Sequence, residues 1–376
     1  MPHVTLGARG DAVLDVQGRL TALGYHIDPS EHGEFGPSTK RAVQEFQQRR
    51  HLLVDGVIGE DTWAEMVEAG YSLGDRLLYL RYPYDRGDDV RALQAALNVL
   101  GFDVGREDGI FGQRTDRAVR QFQRNVGLPP DGIVGSTTIE AVARLRPVGP
   151  GPGLSTVREG EALRRMSASL QGSRIAVDPG HGPTDPGSEG PTGLREADAT
   201  FVIAEHLMAE LQRRGAAPFL LRDRASDPPI SARANAANDL GAEVLISLHL
   251  NSHPEAAAEG ASTYYYGREG WSSQAGQRLA ETIQELLVSR LGRKDGRTHA
   301  KSLPLLRETH MPAVQVEPCF ISNPSEESLL KDEGFRRNLA QALTDAIERF
   351  FGGPSIDAVT SDDEGRTAVP LGGRPE

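Results

Sequence analysis

IAVDPGHGPTDPGSEGPTGLREAD, residues 175–198, opens on three apolar residues, Ile175, Ala176 and Val177. So short an apolar run bounded by turn residues reads as a buried strand. Asp178-Pro179-Gly180-His181-Gly182 then turns the chain and leaves His181 on a glycine-flanked corner at the carboxyl end of that strand. After the loop Thr192-Gly193-Leu194-Arg195, Glu196 opens a segment whose helical spacing runs through residues 201–213. Open α/β sheets carry their chemistry outside the carboxyl ends of their strands.

Two further runs end in the same way. Val244-Leu245-Ile246-Ser247-Leu248 is followed by His249, and Ala313-Val314-Gln315-Val316 by Glu317. Alone, a histidine after a strand reads as a hydrogen-bonded structural residue, and a glutamate in a first helical turn complements the helix dipole. Together, His181, Glu196 and His249 form a set of two imidazoles and one carboxylate that suits Zn2+ and leaves one position open for water. Glu317 supplies a further carboxylate of the kind needed as a general base. Asn251 either holds the turn after His249 or meets a substrate amide. Helical patterns at residues 231–240, 273–291 and 335–351 alternate with the strands. They predict an α/β domain with a mixed, mostly parallel sheet covered by helices.

Three segments carry a family resemblance: residues 175–198, LLRDRASDPPISARANAANDLGAEVLISLHLNS (220–252) and MPAVQVEPCFISNPSEE (311–327). They resemble, in order, the catalytic domain of the zinc-dependent N-acetylmuramoyl-L-alanine amidases. The resemblance implies that His181, Glu196 and His249 bind zinc and that Glu317 is the catalytic base. The expected reaction is hydrolysis of the bond between N-acetylmuramic acid and L-alanine in peptidoglycan or muropeptides. Pro318 and Cys319 depart from the small or apolar residues that commonly follow the base. Cys319 reads as buried or as a metal contact, and His253 as an exposed loop residue or one that crowds the groove.

An internal repeat fills the first half. Arg9-Gly10-Asp11 recurs as Arg86-Gly87-Asp88, Leu23-Gly24-Tyr25 as Leu100-Gly101-Phe102, Phe46-Gln47 as Phe122-Gln123 and Asp55-Gly56 as Asp131-Gly132. Apolar residues at three- and four-residue spacing, with glycine stops at Gly24 and Gly101, predict a three-helix unit in each copy. The units resemble peptidoglycan-binding domains, which implies binding of wall peptide or glycan. Most of the repeated residues are also what the fold alone requires.

The expected organisation is multidomain: two small three-helix repeat units at 1–70 and 80–146, a Pro/Gly linker with a short helix at 147–172, the zinc amidase domain at 173–353, and a disordered acidic tail at 354–376. The tail offers Thr360, Ser361 and Thr367 as phosphorylation candidates. A net charge of −12 disfavours nucleic acid and anionic membranes as partners. No run of residues reaches a transmembrane segment's roughly 18 apolar residues. A single cysteine excludes an internal disulfide. The N-terminus lacks the basic and apolar regions of a signal peptide, so a cytoplasmic location is expected. The whole arrangement resembles actinobacterial amidase-like regulators of this family. That resemblance implies a second role: a cytoplasmic protein, controlled by a Ser/Thr kinase, that binds and stimulates the UDP-N-acetylglucosamine enolpyruvyl transferase of precursor synthesis.

Overall fold

Spaced apolar residues build each repeat as three helices. The first repeat has α1 (Asp11–Ala22), α2 (Pro37–Arg49) and α3 (Glu60–Glu68). The second has α4 (Asp88–Val99), α5 (Gln113–Asn125) and α6 (Ser136–Leu145). Val13, Val16 and Leu20 are buried with Phe35, Phe46 and Ile58 in one core, and Val90, Leu93 and Leu97 with Phe111, Phe122 and Val134 in another. The computed structural model describes residues 4–145, 163, 166–167, 169–268 and 271–352. The linker at 147–162 and the tail at 354–376, with Thr360, Ser361 and Thr367, lie outside the described residues.

Buried glutamines tie each repeat together. The Gln47 side chain donates to Asp55 Oδ1 (2.7 Å), the Val57 carbonyl (3.0 Å) and Thr62 Oγ1 (3.1 Å), and accepts from the Gly56 N–H (2.8 Å). Gln123 makes the matching bonds to Asp131, Ile133, Thr138 and Gly132. Gln17 and Gln94 tie α1 and α4 to the following loops in the same manner.

The chain forms two compact units. The first holds the repeats together with residues 266–272 and 300–310. Within it the buried Arg307 guanidinium pairs with Glu65 at 2.8 Å and Glu68 at 3.6 Å, and Arg86 pairs with Glu308 at 2.5 Å. Nothing in the sequence pattern pointed to these pairs, because their members lie more than two hundred residues apart.

The second unit is built on β1 (Arg174–Pro179), β2 (Ala217–Leu220), β3 (Val244–Leu248) and β7 (Ala313–Glu317), which run parallel in the order β2-β1-β3-β7. The expected mixed, mostly parallel sheet is present. β4 (Ala261–Arg268) adds an antiparallel strand beside β7 and pairs with β6 (Asp295–Lys301); its last residues, which lie in the first unit, pair with the short β5 (Trp271–Ser272) of that unit. β1 and β3 are buried along nearly their whole length, as parallel strands covered on both faces require. α7 (Glu196–Arg213) packs on β1 and β2. α9 (Gln274–Leu291), which follows α8 (Ile230–Asp239), packs on β7. The short α10 (Pro304–Glu308) belongs to the first unit, whereas in the second the short α11 (Pro324–Lys331) precedes α12 (Glu333–Gly352), which packs against α7 and α9. The short helix expected before β1 does not extend over residues 169–172. There the chain turns, with Gly172 at φ +78° donating its N–H to the Gly215 carbonyl. Among the described residues no helix is long and apolar enough to cross a membrane.

Replacing Gln47 by leucine keeps the volume but strands the Gly56 N–H and the Val57 carbonyl. We expect Gln47→Leu to lower the unfolding free energy by about 2–4 kcal/mol, read from urea or thermal denaturation.

Candidate metal centre

The corner after β1 is built around buried guanidinium groups. Beyond the last strand pairing, the carbonyls of Pro179, Gly180 and His181 need partners. Arg222 donates to Pro179 O at 2.8 Å, Gly180 O at 3.1 Å and Ala197 O at 3.0 Å. Arg233 donates to Pro179 O at 3.1 Å and His181 O at 2.8 Å, and pairs with Asp178 and Asp227, each at 3.0 Å. These bonds hold His181 at φ 58°, a left-handed conformation that costs a non-glycine residue about 1–2 kcal/mol.

Glycines clear the space between the candidate donors. A Cβ on Gly180 would stand 2.5 Å from the His249 ring. A Cβ on Gly187, which itself has φ +68°, would stand 2.7 Å from His181 Cδ2 and 2.8 Å from Glu196 Oε2. β3 lies beside β1, and the His249 N–H donates to Val316 O of β7 at 3.0 Å. The parallel order β1-β3-β7 therefore brings His181, His249 and Glu317 to the carboxyl end of the strands.

Glu196, the first residue of α7, is 2% exposed. Its Oε1 accepts the Leu250 N–H at 2.9 Å and lies 3.1 Å from His249 Nδ1 and 3.2 Å from His181 Nε2. Its Oε2 accepts the Ser188 N–H at 3.0 Å. His181 Nδ1 meets Asp185 Oδ2 at 2.8 Å, which fixes the ring and leaves Nε2 facing inward. One ligand atom from each of His181, Glu196 and His249 falls within 4.8 Å of the others. Burial alone would raise the Glu196 pKa, but the two imidazoles outweigh it and hold the carboxyl well below its ordinary range. Burial likewise disfavours the His181 imidazolium, but Glu196 and Asp185 raise its pKa to about 9. The centre therefore favours positive charge between its three donors. Two of the three donor separations, 3.1 and 3.2 Å, lie near the roughly 3.3 Å edge of a tetrahedron with ligands at 2.0–2.1 Å, the zinc–nitrogen distance, and the whole set lies within 4.8 Å. The donor set fits a zinc ion.

Glu317 stands outside this group of three, at the end of the neighbouring strand. Burial raises its pKa against the pull of His249 and of its hydrogen-bond donors, Gln315 and Tyr264. Tyr264 OH donates to Glu317 Oε2 at 3.1 Å, and Gln315 Nε2 donates to Oε1 at 3.0 Å. Asn251 Oδ1 accepts the Ser252 N–H at 2.8 Å, and the Asn251 backbone bridges Cys319 O and the Ile321 N–H. The backbone bonds fasten the turn after His249 to the segment after Glu317. Cys319 is buried, which pushes its thiol pKa up to about 12, and its sulfur faces Arg293 rather than the three donors. His253 is exposed and accepts the Glu255 N–H.

Sequence reading missed Asp185, Arg222, Arg233, Tyr264 and Gln315. Asp185 lies four residues after His181 in the same loop and Gln315 two residues before Glu317 on the same strand, the local signals available. Arg222, Arg233 and Tyr264 act across the fold.

A family model described as N-acetylmuramoyl-L-alanine amidase matches residues 175–349, and one described as putative peptidoglycan binding domain matches residues 9–66 and 86–142. The chain is 37% identical over 360 residues to N-acetylmuramoyl-L-alanine amidase CwlM of Mycobacterium tuberculosis, a match spanning 92% of this chain and 88% of that protein. It is 30% identical to N-acetylmuramoyl-L-alanine amidase LytC of Bacillus subtilis over 54% of this chain and 40% of that protein. Among solved structures, the N-acetylmuramoyl-L-alanine amidase from Clostridium difficile 630 aligns at 29% identity with a TM-score of 0.45, covering 47% of this chain and 95% of that one.

Asp185 touches His181 but is not one of the three donors, so removing it loosens the imidazole without deleting a ligand. We expect Asp185→Ala to weaken zinc binding by about 10–100-fold, measured by competition with a chromophoric chelator.

Proposed function

The chain belongs to the N-acetylmuramoyl-L-alanine amidase family, and we propose that it hydrolyses the amide between N-acetylmuramic acid and L-alanine with zinc held by His181, Glu196 and His249. The observation that carries this reading is the convergence of the His181 and His249 imidazoles on a single buried oxygen of the Glu196 carboxylate. When bound there, zinc supplies Lewis acidity, both to the scissile carbonyl and to a water molecule whose pKa falls to about 7.

The protein's own part is positional. Asp185 and Glu196 orient the His181 ring, and the Arg222 and Arg233 guanidinium groups hold the turn that carries it. Glu317 accepts the proton of the attacking water as the new carbon–oxygen bond forms. It returns that proton to the alanine nitrogen as the carbon–nitrogen bond breaks, leaving a muramoyl carboxylate and a stem peptide with a free amine. A buried carboxylate with raised proton affinity suits both halves of that transfer. The repeats would bring the same polymer, or its soluble precursors, to the enzyme. The cytoplasmic setting belongs to this proposal and is tested by cell fractionation.

The test compares zinc content and turnover of muramoyl-peptide fragments in wild type, Glu317→Ala and His181→Ala. Glu317→Ala should retain zinc and lose about 100-fold or more in kcat. His181→Ala should lose zinc and activity together. Wild-type turnover by Glu317→Ala would refute the assignment of the base. Zinc bound without turnover by wild type would favour the regulatory role on the enolpyruvyl transferase, under a Ser/Thr kinase.

A further inference from the structure

The Glu317 carboxylate is gripped on both oxygens by groups outside the metal centre. β4 runs antiparallel to β7 with Tyr264 opposite Gln315 and Ser262 opposite Glu317. Side chains two apart on a strand share a face, so Gln315 and Glu317 point the same way. Tyr264 reaches its diagonal neighbour, as an aromatic side chain can across an antiparallel pair. The result is one donor per oxygen: the tyrosine hydroxyl on Oε2 and the glutamine amide on Oε1. A carboxylate only accepts, so the amide must present its NH2 group. The Tyr264 ring is 9% exposed and lies 5.7 Å from the His299 ring, at 31° between planes.

The terminal torsion of a glutamate is soft and has no sharp staggered minimum. Glu317 is the last residue of its strand, and Pro318 after it has no N–H to offer. Without the two side-chain donors the carboxylate could rotate about that torsion. With them its plane is set, and roughly half of its four or so acceptor positions remain for a proton.

We propose that Tyr264 and Gln315 are positioning residues for the general base, fixing the plane of the Glu317 carboxylate so that a free lone pair meets the reacting water. This inference rests on the assignment of Glu317 as base. Neither residue belongs to the three-donor group, so their role is separable from metal binding.

The experiment uses the full chain loaded with zinc, as wild type, Tyr264→Phe and Gln315→Met. One readout is steady-state turnover of muramoyl-peptide fragments. The other is the carboxyl carbon resonance of Glu317 in protein labelled with carboxyl-¹³C glutamate, assigned by its disappearance in Glu317→Gln. Each variant should lower kcat by about tenfold with KM and zinc content unchanged, because misplacing a reacting group is felt in the chemical step. Each should also move the Glu317 resonance. Unchanged kcat in both variants, a loss that falls on KM alone, or an unmoved resonance would overturn the proposal. If wild type shows no turnover, the amidase reading fails, and the resonance still decides whether Tyr264 and Gln315 hold the carboxylate.

Discussion

The candidate metal centre depends on a carboxylate taken out of water. Burying an ionised Glu196 costs several kcal/mol unless partners replace its solvation. Two backbone N–H groups and two imidazoles do so, Ser188 and His181 from the loop after β1 and Leu250 and His249 from the end of β3. Satisfying that one side chain requires the loop after β1, the start of α7 and the end of β3 to meet within hydrogen-bond distance. The absence of side chains at Gly180 and Gly187 follows from the same demand, because a Cβ at either would occupy the space of a ligand. So do the two guanidinium groups, which take up the carbonyls left over when β1 turns away from its neighbours.

The first unit solves a similar problem with glutamine. A repeat of this size buries too little apolar surface for its loops to be held by packing alone. Each copy therefore uses two buried amides, one on each of its first two helices, to bind loop carbonyls and N–H groups that no helix or strand satisfies. The cluster around Arg307 extends that polar framework with charge. Its stability depends on completeness, since a buried guanidinium left with too few carboxylates costs more than the pairs return.

At the reacting end, the site separates two carboxylates by environment. Glu196 sits among imidazoles that favour its ionised form. Glu317, one strand away, is pushed toward protonation by burial and drawn back by Tyr264, Gln315 and His249. One carboxylate is thereby suited to hold a cation and the other to exchange a proton, although the side chains are chemically the same.

Much of this was legible in order along the chain. The apolar run Ile175-Ala176-Val177 before a glycine-flanked histidine, and its counterparts before His249 and Glu317, record burial and a turn within a few residues of each other. Hydrophobic spacing likewise exposed the helices around Val13 and Val90, and the doubling of Phe46-Gln47 exposed the repeat. Partners remote in sequence were not legible. The antiparallel register that sets Tyr264 beside Gln315 and Glu317, the guanidinium groups under the His181 turn, and the joining of residues 300–310 to the repeat unit leave no periodic trace. Local pattern alone marks the repeat helices, the strands that end at His181, His249 and Glu317, and the candidate ligands, because those follow from local conformation and side-chain type. Which polar groups satisfy one another depends on strand order and register, which join residues separated by tens to hundreds of positions, and so is set by the folded arrangement.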